Sequence, residues 1–203
     1  MAYWRDKIHE ERSLAAAAWT EKMVREHADE IVNSIRQTVA YGGPDRKPET
    51  YSGPASVPEL TVQNADSVTA LFDRPAEERV CILNFADYKS CGGGYITGSH
   101  AQEAALCTES YLYNVLSAFK GSYYAWNNEK GSNKRFLHMN KGLYENRALY
   151  SPDIRFEYLE TEHPGSVWVG RSRYADVITC ASPNMRSGKA TSAENSVAIE
   201  DRL

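Results

Sequence analysis

The sequence lacks most of the patterns that assign a protein quickly. Its four cysteines, Cys81, Cys91, Cys107 and Cys180, form no CxxC pair and no short pairing with histidine. That spacing argues against a zinc site and against a disulfide framework. Reduced thiols in an intracellular protein are the simplest account. No signal peptide and no apolar run near the about 18 residues of a membrane span is present, so neither secretion nor membrane insertion is expected. His9-Glu10-Glu11-Arg12 is not HExxH, which removes a metalloprotease reading. Neither GxGxxG nor GxxxxGK[ST] occurs, so a dinucleotide fold and a P-loop are rejected by pattern. There is no internal repeat and no low-complexity tract.

What remains is ordinary for a folded domain. The 203 residues are 42% hydrophobic and 25% charged, enough for one domain with a sizeable core. A net charge of −4 argues against binding nucleic acid by bulk electrostatics, and no sequence-specific nucleic-acid partner is expected. A local basic patch around a pyrophosphate remains compatible with it.

The informative stretch runs from Asn84 to Ser110. Val80-Cys-Ile-Leu-Asn-Phe85 is short and apolar, and reads as a buried strand. Gly92, Gly93 and Gly94 follow, with Gly98 just beyond. Ser99-His-Ala-Gln102 reads as a capping box that opens a helix carrying Ala105, Leu112, Val115 and Leu116 at helical spacing. A strand, a glycine loop and a helix N-terminus expose backbone N–H groups to an anion, typically phosphate. The same pattern also fits a plain turn with nothing bound.

Elsewhere, Arg5 to Ala40 reads as one or two amphipathic helices, with Ile8, Ala15, Trp19, Met23, Val24, Ile31, Val32 and Ile35 near helical spacing. Gly42 to Pro58 is a polar loop, Leu60–Val62 a short strand, and Asp66–Phe72 a capped short helix. Phe119 to Asn140, rich in Gly, Asn, Lys and aromatics, reads as a loop. Lys130, Lys134 and Arg135 within it form either a solvated face or an attractor for a polyanion. Ala148–Tyr150 is a strand end before a turn at Ser151-Pro152, Val167–Val169 an edge strand, and Asp176–Ala181 a second buried strand. Arg186 to Leu203 reads as a mobile loop. Asn84-Phe85 and Ser182–Asn184 both lie at strand carboxyl ends, where open α/β sheets collect ligands.

A triple glycine, seven residues and then Gln102-Glu103 resembles the signature of the microbial-type poly(ADP-ribose) glycohydrolases. Asn84-Phe85-Ala86, Leu106-Cys107, Ser110–Tyr113, Leu149–Asp153 and Asp176–Asn184 resemble further segments of that family in the same order. The likeness runs, with gaps, from about Arg5 to Asn184. It implies an α/β, macrodomain-like fold with a mixed sheet flanked by helices. Residues 1–45 form an N-terminal helical extension and 46–203 the ADP-ribose-binding domain. It implies ADP-ribose or poly(ADP-ribose) as ligand, hydrolysis of ribose–ribose O-glycosidic bonds, and neither cofactor nor metal. The implied substrate-binding set is Asn84, Phe85, Ala86, Asp87, Gly92, Gly93, Gly94, Tyr95, Gln102 and Asn184, with Glu103 on the terminal ribose.

The chain departs from the family pattern twice. The second glutamate of the motif, which the family uses as general acid/base, falls on Ala104. Alanine can neither give nor take a proton, so a severely impaired or inactive hydrolase is expected. A non-catalytic ADP-ribose-binding module is the alternative, and a structural domain whose loop binds nothing is the third. Glu109, six positions past Glu103, is about 240° around a helix and points away; Asp87 is a conceivable substitute. The chain also stops at Leu203, short of where the family continues. The last strands are therefore expected from residues outside this sequence or from a second polypeptide fragment.

Overall fold

Hydrophobic spacing in the N-terminal third builds a long helix, α1 (Ala2–Gln37), in the computed structural model, which describes residues 2–45, 47, 59–132, 143–159, 168–183 and 190–200. Ala16, Met23 and Ile31 are its buried spine. Of the adjacent pairs Met23/Val24 and Ile31/Val32, only the first member faces inward; Val24, Val32 and Ile8 are exposed. The helix kinks at His27, where φ is −134°. There the imidazole is held between Glu30 (3.1 Å) and the buried Glu157 (3.4 Å), which Lys22 also reaches at 3.1 Å.

After α1 the chain enters a sheet that has four strands among the described residues. Strand β1 (Val39–Tyr41) is an edge strand that the helical reading of this region missed. Asp66 then caps α2 (Ser67–Asp73), accepting from the Val68 and Thr69 N–H groups at 2.9 and 2.8 Å. Leu60–Val62 is not a strand: it pairs with no strand among the described residues, and Leu60 is 88% exposed. Its apolar alternation is too short to set a register on its own.

Strand β2 (Cys81–Phe85) is the other edge of the sheet. It alternates, with Ile82 and Asn84 inward and Cys81 and Phe85 outward, so it is half-buried and not fully buried as expected. Helices α3 (Gln102–Thr108) and α4 (Leu112–Ser117) replace the single helix read from sequence. The break falls at Ser110, which bridges to Phe156 on the sheet. The presumed loop after Phe119 begins as helix: a π-helical turn at Lys120–Tyr124 continues into α5 (Ala125–Ser132). Lys134 and Arg135 lie outside the described residues.

Strands β3 (Ala148–Leu159) and β4 (Trp168–Cys180) form a long antiparallel pair at the centre. The turn expected at Ser151-Pro152 is a bulge within β3: the register slips between Ser151 and Ile154, and Asp153 takes a φ of 54°. A bulge accommodates a proline, which has no N–H for the ladder. The two strands expected around Val167–Val169 and Asp176–Ala181 are one, β4. The sheet order is β1-β3-β4-β2, with β2 parallel to β4 and the other pairs antiparallel. Helix α6 (Ser192–Glu200) occupies part of the region read as a mobile loop. Thr191 and Glu194 start it with a reciprocal capping box: Glu194 N donates to Thr191 Oγ1 at 3.2 Å, and Thr191 N donates to Glu194 Oε2 at 2.8 Å.

Residues 1–45 do more than cover the sheet. Trp19 Nε1 donates to Ser110 O at 2.9 Å, Ser34 Oγ to Pro152 O at 2.7 Å, and β1 joins β3. The core lies between this long helix with α3 and α4 on one side and the inward face of β2, β3 and β4 on the other.

Candidate functional site

The site is built where β2 ends. Parallel pairing puts Asn84 beside Thr179, and Ala86 N donates to Cys180 O at 3.2 Å. The chain then turns on Asp87, whose Oδ1 accepts from Lys89 N and Ser90 N at 2.7 Å each. Carboxylates of this kind fold the backbone locally in place of a regular turn. A 3₁₀ segment, Cys91–Thr97, follows, in which Gly92, Gly93 and Gly94 have φ of 75°, 54° and 82°. At Gly93 the need for glycine is double. A Cβ there would lie 2.7 Å from Glu103 Oε2, and the left-handed φ already disfavours any other residue.

Glu103 is the hub of the site. Its side chain is 1% exposed. It accepts from Asp87 N at 2.7 Å, from Gly92 N at 3.1 Å and from Asn84 Nδ2 at 3.4 Å. Burial disfavours the charged form and pushes its pKa from 4.5 up to about 7, against the pull of these three donors. Gly93 N donates to Ser90 O at 3.1 Å. Two of the three glycine N–H groups are thus engaged inside the protein. Within the protein, this loop packs around the Glu103 carboxylate.

Gln102 does not complete a capping box. Residue Ala101 is the N-cap, without a side-chain bond, and Ser99 Oγ reaches only Ala101 N at 3.4 Å. The Gln102 amide instead lies along β2, accepting from Phe85 N at 3.0 Å and donating to Leu83 O at 3.0 Å. It does for that edge what a neighbouring strand would do. Ala104, 1% exposed, packs into the core with Leu106 and Cys107. The side chain at this position carries no titratable atom.

Two buried polar atoms around this hub have no partner among the described residues: Asn84 Oδ1 and the Tyr124 hydroxyl. Burial, and next the Glu103 charge, push the Tyr124 hydroxyl up from its ordinary range. Tyr124 ends the π-helical turn, with its N–H donating to Phe119 O at 3.2 Å. Such turns recur at functional positions.

The structure therefore brings Asn84, Ala86, Asp87, Gly92, Gly93, Gln102 and Glu103 together. It does not bring in Tyr95, which is buried with its hydroxyl on Ala16 O of α1 at 3.0 Å. Phe85 points outward, 64% exposed, and its backbone alone joins the site. Gly94 packs toward Ser99 and Thr97. Asn184 lies outside the described residues. Sequence reasoning missed Thr179, which accepts from Asn84 Nδ2 at 3.2 Å, and Tyr124. Strand alternation within Asp176–Ala181 carried the first signal; the second needed the π turn. Among the described residues, no group of three His, Cys, Asp or Glu side chains is placed to hold a metal.

The family model for the microbial-type PARG catalytic domain, PARG being poly(ADP-ribose) glycohydrolase, matches residues 10–156. No curated protein matches the chain. Among solved structures, the fold is similar to that of the glycohydrolase from Thermomonospora curvata, with TM-score 0.72 and 22% identity over 95% of this chain and 72% of that one. The same enzyme bound to the inhibitor ADP-HPD gives 0.70 and 22%, over 94% and 71%. The Deinococcus radiodurans enzyme in complex with ADP-ribose gives 0.60 and 21%, over 85% and 66%. At these identities the structural likeness is one of fold.

Proposed function

The chain belongs to the microbial-type poly(ADP-ribose) glycohydrolases, and from that premise we propose that it binds ADP-ribose at a polymer end beside Glu103, with hydrolysis disabled or severely reduced by Ala104. Breaking a ribose–ribose bond needs a proton for the leaving oxygen and a base for the attacking water. The observation that carries the reading is the pairing of a buried, loop-anchored Glu103 with an alanine at the next position. Glu103 binds and orients; its pKa near 7 leaves it a weak proton donor, although its carboxylate oxygens are spent on Asp87, Gly92 and Asn84. Among the described residues around Glu103, Asn84 Oδ1 and the Tyr124 hydroxyl keep unspent hydrogen-bonding capacity, which a sugar hydroxyl would reach only once the cover over these buried atoms opens.

A second reading is a binding module in which alanine at 104 is the working residue. Both readings require ADP-ribose binding, and they part on whether Ala104→Glu creates turnover. Calorimetric titration with ADP-ribose tests their common ground: saturable binding supports both, and its absence removes both. Among the described residues no disulfide joins the four cysteines, which is compatible with a reducing, intracellular setting.

A second polypeptide segment beside β2 belongs to the same proposal. A groove of about 470 Å³ runs between β2 and α2, lined by Ser67, Ala70, Arg74, Cys81, Leu83 and Phe85. The Gln102 amide already takes Leu83 O and Phe85 N on this edge, so such a segment would pack its side chains into the groove and not extend the ladder there. A monodisperse 203-residue monomer that melts cooperatively would contradict the need for one.

A further inference from the structure

At the end of β4 remote from Cys180, the ladder with β3 is irregular. Register passes from Glu157↔Ser172 to Leu159↔Trp168, so two steps on β3 face four on β4. Gly170 lies in this bulge with φ of 79°, and a Cβ there would meet nothing within 4 Å. The glycine answers to backbone conformation and not to crowding. Bulges re-aim the side chains beside them. This one sets the Arg171 guanidinium near the rings of Phe72 and Tyr158, 5.2 and 5.1 Å from their centroids, with a hydrogen bond to Phe72 O at 3.2 Å.

Two residues on, Arg173 donates to the carbonyls of Leu71 and Glu78 at 2.8 Å, Arg74 at 2.5 Å and Pro75 at 2.6 Å, closing the end of α2. Neither Arg171 nor Arg173 meets a carboxylate among the described residues, whereas Arg74 pairs with Glu78 at 2.8 Å. Phe72, Arg74, Arg171 and Arg173 line an open groove of about 580 Å³ together with Tyr174, and among the described residues that line it none is acidic; from outside the lining, the Glu30 carboxylate accepts from the Tyr174 hydroxyl at 2.8 Å. In a chain of net charge −4, this is a local reversal of sign.

We propose that this groove is a second anion site, which takes the pyrophosphate of a distal repeat of a poly(ADP-ribose) chain whose end sits at Glu103. The proposal rests on the reading of the main site as an ADP-ribose site. Arg171 supplies a planar fork already ordered on aromatic faces, with donors to spare for a bidentate phosphate contact. Tyr174, 45% exposed, offers a ring face to a base beside it. Ser172 and Cys180 are eight residues apart on β4, roughly 26 Å at about 3.3 Å per residue. One pyrophosphate cannot serve both ends, so the groove acts only on polymer and adds to its affinity by multivalency.

The test compares binding of surface-tethered poly(ADP-ribose) of defined length with calorimetric binding of ADP-ribose, for the unaltered chain and for Arg171→Gln. Arg171 is exposed, so the variant keeps the fold. The expected result is polymer binding about tenfold weaker in Arg171→Gln, with a shallower salt dependence and unchanged ADP-ribose affinity. Unchanged polymer affinity overturns the proposal. So does a single-stranded RNA of equal charge that binds as tightly and loses as much in the variant, since the groove would then read charge alone. Should ADP-ribose bind neither chain, the main-site reading falls, and the groove is judged separately by titrating inorganic pyrophosphate against the arginine Nε–H signals. A shift confined to the Arg171 signal sustains an anion site there, and no shift ends it.

Discussion

Gly93 and Glu103 fit against each other with no room for a methyl group: a Cβ on Gly93 would lie 2.7 Å from Glu103 Oε2. The triple glycine thus serves first to let a buried carboxylate approach the loop. Gly93→Ala combines a left-handed φ with this clash, and should cost about 2–4 kcal/mol. Gly121, whose Cβ would meet nothing within 4 Å, is the control, with a change to alanine expected within about 0.5 kcal/mol. Urea denaturation of both variants measures the contrast.

Gln102 holds the edge of β2 through Phe85 N and Leu83 O. Gln102→Ala should lose about 1–3 kcal/mol, and the Phe85 amide should exchange with deuterium faster than in the unaltered chain. Unchanged exchange at Phe85 would remove this role.

Glu103 makes stability depend on pH. Its folded pKa, about 7, lies above the ordinary 4.5, so the folded state holds its proton more tightly than the unfolded state. That contribution is complete below about pH 4.5 and is lost as pH rises through 7, a change of up to about 3 kcal/mol. Unfolding free energy measured across this range should fall with rising pH. Glu103→Gln should abolish the fall, because an amide does not titrate in this range.

Glu157 fixes the kink of α1. With Lys22 at 3.1 Å, His27 at 3.4 Å and Arg155 at 3.5 Å, and only 3% of its side chain exposed, its removal leaves the Lys22 and Arg155 cations and the His27 ring facing a cavity. Glu157→Ala should cost about 3 kcal/mol by denaturation, with the loss shared by a Lys22→Ala, Glu157→Ala double variant in a non-additive way.

The parts legible in the sequence were those set by local chemistry. Asp66 announces α2 because a carboxylate caps two N–H groups at once, and Gly92–Gly94 announce the loop because only glycine holds those angles. The capping box read at Ser99–Gln102 was a different matter. Its pattern competes with an edge strand that also wants an amide, and the tertiary partner won. The genuine box at Thr191–Glu194 had the same pattern and went unread. Pro152 looked like a stop because the ladder cannot use it, yet a bulge carries β3 past it. The Asn84–Thr179 pairing needed the parallel register of two strands 95 positions apart, which no local signal encodes.

On the proposed reading, position 104 separates this chain from a working glycohydrolase. Release of ADP-ribose from poly(ADP-ribose) should be compared for the unaltered chain, Ala104→Glu and Ala104→Gln, each checked for folding by its melting curve and for ADP-ribose binding. Release at least about 10²-fold faster is expected with glutamate and no gain with glutamine, because only the former moves a proton. A folded Ala104→Glu chain that binds ADP-ribose and releases none faster would contradict that reading.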